Sequence, residues 1–334
     1  MAGKNVKIPS FMTKSGIGGM ASPPPKTTAI PKPSAKAPPR ASTMAGPKVP
    51  TQNSGHSAAR DLHPAPHQTL PQPLVHTIAQ HTAGAPWMLE LLHVRTHHLL
   101  IWTTRGQGRV LLNGVRRGFG THNAIFAPAG KLVSIELGLQ VQGLVALIPA
   151  DERFSFPDRA QHLRLQDGTE QLEFIAILDA LRRELHENRP FIEDALTAHT
   201  QLLSVTLRRD LLTAGDLPRA KAAQTLARAY GDLLSKHFTE GHSMAWYADQ
   251  LGVTPTHLSR VCKQSAGITA ADMLSQLVQH RARLLLITTD RPMRIIARDL
   301  GFGSAAYFTR FCQQHFGAPP SQIRKQARPS KRAP

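Results

Sequence analysis

The chain has 334 residues and a formal net charge of +18, with 40 Lys and Arg against 22 Asp and Glu. That length holds up to two domains with sizeable cores, and only two cysteines argue against a disulfide-stapled secreted scaffold. No apolar run approaches the roughly 18 residues that span a bilayer, and no apolar leader follows the first lysines, so the expectation is a cytoplasmic protein with no membrane partner. The charge is unevenly spread. Residues 1–60 carry nine basic side chains and no acidic one, residues 61–220 are near neutral, and residues 221–334 carry sixteen basic and six acidic side chains. The last third therefore reads as a surface for a polyanion, with nucleic acid favoured over a membrane.

Residues 1–73 hold fourteen of the 26 prolines and one aromatic, Phe11. Such a segment buries too little apolar surface to offset the entropy of ordering, so a disordered basic arm is expected there. It is either a nonspecific DNA-attracting tail or a solvated extension. From residue 74 the chain changes. The stretches HHLLIWTTRG, GRVLLNGV, HNAIFAPAG, LVSIELGL and QGLVALIP are short apolar runs bounded by Gly, Asn and Pro. This pattern predicts consecutive strands of a barrel or sandwich, with Asn113-Gly114 as a hairpin turn. After Thr169 the period lengthens. Leu172, Ile175, Leu178, Leu181 and Leu185 recur every three or four residues, which predicts an amphipathic helix; Arg189-Pro190 ends it and a second helix follows. These two helices either close the barrel core or form a dimer seam. Residues 217–326 read as helices throughout, and a short basic tail occupies 327–334.

Within that helical third the chain repeats itself. WYADQLGVTPTHLSRVCKQSAG aligns with IIARDLGFGSAAYFTRFCQQHFG once one residue is inserted in the turn. Ala248 matches Ala297, Gly252 matches Gly301, Leu258 matches Phe308, Arg260 matches Arg310, Cys262 matches Cys312 and Gly267 matches Gly317. A small residue lets two helices cross closely, a glycine ends the first, and Thr254-Pro255 or Ser304 starts the second. That is a helix-turn-helix, whose second helix enters the major groove. The two cysteines fall on the face turned back to the first helix and read as core residues; neither has partners at metal spacing. The arginines two positions earlier point outward, where a guanidinium can take O6 and N7 of guanine.

Residues 220–325 resemble the DNA-binding domain of AraC/XylS-type bacterial transcription regulators. The resemblance rests on ADQLGVTPTHLSRVCKQSAG, RARLLLITTDRPM and IARDLGFGSAAYFTRFCQQHFGAPPSQIR, with Cys312 standing where the family usually has Phe. It implies seven helices and two helix-turn-helix units joined by a long central helix. The groove-facing or phosphate-facing positions it implies are Thr254, Thr256, His257, Ser259, Arg260 and Lys263 in the first unit. In the second they are Ser304, Ala305, Ala306, Tyr307, Thr309 and Arg310. Residues 74–165 resemble the cupin-like effector domain that often precedes this module, and 166–216 take the place of its dimerisation or linker helices.

The fold class expected is α+β: a cupin-like barrel, then helices, then an all-α DNA-binding domain. No metal is expected in the barrel. Metal cupins use an H-x-H pair, whereas His97 and His98 are adjacent and point to opposite faces of a strand; the position where such a domain places a further His is Val133. A small organic effector in the barrel is expected instead, with Arg95, Trp102 and Arg109 as candidate lining groups. No catalytic set and no cofactor motif stands out, since the Gly spacing of GQGRVLLNG fits no phosphate loop. The expected partners are double-stranded operator DNA, the effector, RNA polymerase and a second copy of the chain. Two alternatives stay open: a cupin-type metalloenzyme fused to a DNA-binding module, and a nonspecific architectural DNA-binding protein.

Overall fold

The computed structural model describes residues 72–187, 189–213 and 222–327. The arm up to residue 71 and the tail from residue 328 lie outside the described residues. The described chain opens with β1 (Leu74–Thr77), α1 (Ile78–Thr82), α2 (Trp87–Glu90) and the two-residue β2 (His93–Val94). The main strands follow: β3 (His98–Arg105), β4 (Gly108–Leu112), β5 (Val115–Phe119), β6 (Asn123–Ala127), β7 (Leu132–Leu137), β8 (Gln142–Ile148) and β9 (Gln161–Arg164). They pair antiparallel in two sheets, one in the order β1-β8-β3-β6-β9 and the other β2-β7-β4-β5. The Asn113-Gly114 turn joins β4 to β5, both residues at positive φ (44° and 82°), as a tight two-residue hairpin demands.

Strand alternation explains the layers. Leu99 and Ile101 of β3, Ile125 of β6 and Val145 of β8 meet Val110, Val133 and Ile135 of the other sheet in one buried cluster. The opposite face of the first sheet presents Leu100, Trp102, Phe126 and Ala146 to the two following helices, α3 (Gly168–Glu187) and α4 (Ile192–Thr213). The central strands are covered on both faces, which is why β3 reads Leu-Leu-Ile-Trp without polar alternation. One expectation is corrected here. Helix α3 buries Phe174, Ile177, Leu178 and Leu181, whereas Leu172 is exposed. The stripe is the same period, rotated so that the aromatic Phe174 packs against Trp102 at 5.1 Å between ring centroids.

The C-terminal domain contains seven helices among the described residues: α5 (Ala222–His237), α6 (Met244–Gln250), α7 (Pro255–Ala266), α8 (Ala270–Thr288), α9 (Met293–Asp299), α10 (Ala305–Phe316) and α11 (Pro320–Ala327). Helix α8 is 19 residues long, roughly 28 Å at 1.5 Å per residue. Its first half supplies Ala270, Met273 and Leu277 to the core of the first unit, and its second half supplies Ala282, Leu285 and Leu286 to the core of the second. Cys262 and Cys312 are fully buried in those two cores, and burial pushes both thiols up to about 12. They are small apolar packing groups, inert as nucleophiles at neutral pH.

The sheet domain is packed directly on the first helical unit. Leu92, Leu111 and Leu132 belong to the same apolar cluster as Tyr230, Leu258 and Cys262. Around that seam Lys131 pairs with Asp232 at 2.6 Å, Asn113 donates to Asp232 at 3.2 Å, and His93 stacks on His280 with centroids 4.6 Å apart. His93 is held neutral. Its Nδ1–H donates to the Leu91 carbonyl (2.7 Å), and its Nε2 accepts from Arg95 Nε–H (2.9 Å). Burial first, then the positive Arg95 and neighbouring His280, hold its pKa well below the ordinary 6.5. Burial likewise lowers His81, His98 and His162 to about 4.

All four folded-state values are depressed, so the neutral imidazoles support the fold above 6.5 and that support is lost as pH falls towards 4. Thermal melts are expected to show a falling Tm across that window. His93→Gln, which cannot take up the proton, is expected to flatten the slope by up to one proton. An unchanged slope would remove His93 from this account.

Candidate nucleic-acid interface

Each recognition helix is set by its own cap. Thr254 Oγ1 accepts from the His257 amide at 3.2 Å with Pro255 in the first turn, and Ser304 Oγ accepts from the Tyr307 amide at 3.2 Å. Gly267 and Gly317 close α7 and α10 in the left-handed conformation, at φ 81° and 70°. The turn glycines Gly252 and Gly301 share it, at 64° and 76°. The preceding helices cross close above because Ala248 and Ala297 are small and buried.

With Leu258, Val261 and Cys262 turned inward on α7, the opposite face is free. Arg260 and Lys263 are exposed there, together with Thr254 and Thr256; His257 and Ser259 are half-buried. His257 Nδ1 lies 3.1 Å from Arg260 Nη2, which steadies the guanidinium without burying it. On α10, Phe308 and Cys312 point inward and Arg310 is exposed. Ala306, Tyr307 and Ser304 are exposed, Ala305 and Thr309 are half-buried, and the Thr309 hydroxyl is engaged with the Ala305 carbonyl at 2.9 Å. The structure thus gathers the sequence-derived positions onto two exposed helix faces. Sequence reading passed over Lys263's neighbour Gln264 and the pair Gln313 and Gln314, all exposed and one turn beyond the arginines. The signal was available, since positions three and four beyond an outward residue share its face, and Gln can bind adenine through two hydrogen bonds.

The three effector candidates are not brought together. Arg95 is half-buried beside the domain seam, donating to His93 and to the Met88 carbonyl at 3.1 Å. Trp102 is fully buried on the helix-facing side of the first sheet, not between the sheets. Arg109 is exposed on β4. The space between the sheets is filled by Leu, Ile, Val and Phe side chains. Among the described residues one group with metal-ligand spacing occurs, His237, Glu240 and His242, and it lies in the helical domain rather than the sheets. No described helix is long and apolar enough to cross a membrane.

Two capped helix-turn-helix units sharing one central helix define the last third as a double helix-turn-helix DNA-binding domain. Residues 247–326 match the family model described as a helix-turn-helix domain. The arabinose operon regulatory protein of Salmonella typhimurium is 32% identical over 92 residues, 27% of this chain and 33% of that protein. The HTH-type transcriptional activator RhaS of an Enterobacter species is 30% identical over 187 residues, 55% of this chain and 64% of that protein. Among solved structures, ToxT of Vibrio cholerae O395 aligns over 78% of this chain and 98% of its own at 12% identity and a TM-score of 0.36. The chain spans from about a third to just under two thirds of these two curated relatives. Residues 247–326 are thus a helix-turn-helix domain, similar in sequence to the matching parts of these AraC-type regulators.

Proposed function

We propose that the chain is a small-molecule-responsive, sequence-specific regulator of transcription. One observation carries this reading: two separately capped helices, α7 and α10, each hold an exposed arginine at the same place on the outer face. Arg260 and Arg310 read base edges in two successive major-groove segments. Lys263, Gln264, Gln313 and Gln314 extend the contact, and the N-termini of the two helices take phosphate oxygens.

The effector binds the sheet domain on its helix-facing side. In support, the Trp102 indole N–H, the Gln161 amide and the Thr200 hydroxyl are buried with no hydrogen-bond partner among the described residues. Trp102 belongs to the apolar cluster between the first sheet and helices α3 and α4, and strand alternation turns Gln161 to the same side as Leu163. An apolar layer with a few polar groups suits a small organic molecule. Its signal reaches the DNA-binding helices through the β4–β5 hairpin. Arg116 of β5, paired with Glu136 at 2.5 Å, lies against Gly267 at the C-terminus of α7. The effector acts only by binding two packings of this seam unequally. Exposed Leu172 and Leu202 on α3 and α4 support a homodimer contact through these helices, and RNA polymerase is the partner through which a bound regulator acts.

Selection of bound duplexes from a random pool tests the reading. The expected outcome is a consensus with two elements about ten base pairs apart. No consensus and a steep salt dependence would favour a nonspecific architectural protein.

A further inference from the structure

We propose that His237, Glu240 and His242 form a site for one divalent transition-metal ion of the zinc class, at the joint between the two helix-turn-helix units. The three donors occupy six consecutive residues where α5 ends and the chain turns into α6. Their ligand atoms lie within 4.8 Å of one another. Glu240 bridges the two rings, one carboxylate oxygen 3.0 Å from His237 Nδ1 and the other 2.8 Å from His242 Nε2. A metal with bonds near 2.0–2.2 Å to nitrogen and oxygen needs donors only slightly further apart than this, and two imidazoles with one carboxylate form a set that zinc accepts, water completing the shell.

The rings are already oriented. His242 stacks on Trp246 at 3.7 Å with an interplanar angle of 11°, and the edge of the same indole faces His237 at 5.4 Å. Side chains that fix the direction of metal-ligating imidazoles are what a site needs beyond the ligands themselves.

The position gives the ion a structural consequence. Gly241, between two of the ligands, sits at φ 74° against Gly301 of the α9–α10 turn; a Cβ there would lie 2.6 Å from the Gly301 carbonyl oxygen. The loop that holds the donors therefore touches the turn between α9 and α10 of the second unit. A bound ion ties the end of α5 to the start of α6 and holds that contact in place. The site does not depend on any reading of what DNA the chain binds.

The test is titration of the untagged full chain with Zn²⁺ by calorimetry, and with Co²⁺ by visible absorption. One equivalent is expected to bind with micromolar or tighter affinity, to perturb Trp246 fluorescence, and to raise Tm. Glu240→Gln and His242→Asn are each expected to weaken binding by more than about 100-fold, since loss of an outer-sphere partner alone costs roughly 10–100-fold. Metal-free Tm and far-ultraviolet dichroism serve to confirm that both variants fold. His315→Ala, an exposed histidine elsewhere, is expected to bind as the parent does. No tight equivalent in the parent, or equal affinity in the parent and both variants, would overturn the proposal and leave Glu240 as a hydrogen-bond bridge between two imidazoles.

Discussion

Arg260→Ala is expected to lower affinity for the chain's selected duplex by about 5- to 150-fold, the equivalent of roughly 1–3 kcal/mol for a bidentate guanine contact. Affinity for random duplex should fall only about two- to threefold. Arg310→Ala should behave the same way at the other element. The expectation follows from the opposed faces of α7 and α10. Cys262 and Cys312 anchor one face in the core, so the side chains two residues earlier are carried about 200° round the helix and into solvent. A solvated arginine that only meets phosphate would lose similar amounts on both duplexes and reduce the salt slope by about one. Competition binding with selected and scrambled duplexes separates the two cases. Equal loss on both would remove base reading by these arginines.

Gly114→Val is expected to be the most damaging single change at the domain seam. Gly114 has φ 82°, and a Cβ there would lie 2.3 Å from the Ala227 carbonyl oxygen of α5. The substitution therefore combines strain of about 1–3 kcal/mol, for a β-branched residue in the left-handed region, with a backbone overlap that relaxes only if the hairpin lifts off α5. A loss of about 3 kcal/mol or more corresponds to a Tm drop of roughly 6–12 °C for a chain of this size class. Hydrogen exchange should quicken in α5 and in the β4–β5 hairpin together. Gly118→Ala supplies the comparison, because the nearest atom to its added Cβ is 4.0 Å away on the same ladder. If the two variants melted alike, the hairpin would not be the link between the sheets and the helices.

The helical third was legible because its signals are local. Thr254-Pro255, Ser304 and the glycines at 252, 267, 301 and 317 punctuate helices within a few residues, and the repeat aligned them without knowledge of the third dimension. The hairpin at Asn113-Gly114 was legible for the same reason. Strands β1, β2 and β9 were not: four residues or fewer, they are defined by partners far away in sequence, as Leu74 is by Leu147. The face of α3 was misjudged because Leu172 and Phe174 fit the same period, and only the position of Trp102 decides which one is buried. Trp102 was a candidate for the lining of the barrel. Alternation places it on the other side of β3, and which side faces helices is a tertiary fact. The His237–Glu240–His242 group follows no metal-binding motif in the sequence; the turn between α5 and α6 brings its three donors together.

Hydroxyl-radical and methylation-protection footprinting on the selected duplex, with the parent and the two arginine variants, tests the double-readout account most directly. The account predicts two protected major-groove segments about one helical turn (~34 Å) apart. Arg260→Ala should erase guanine protection in one segment only, and Arg310→Ala in the other only. A single protected segment, or loss of both segments in either variant, would contradict it.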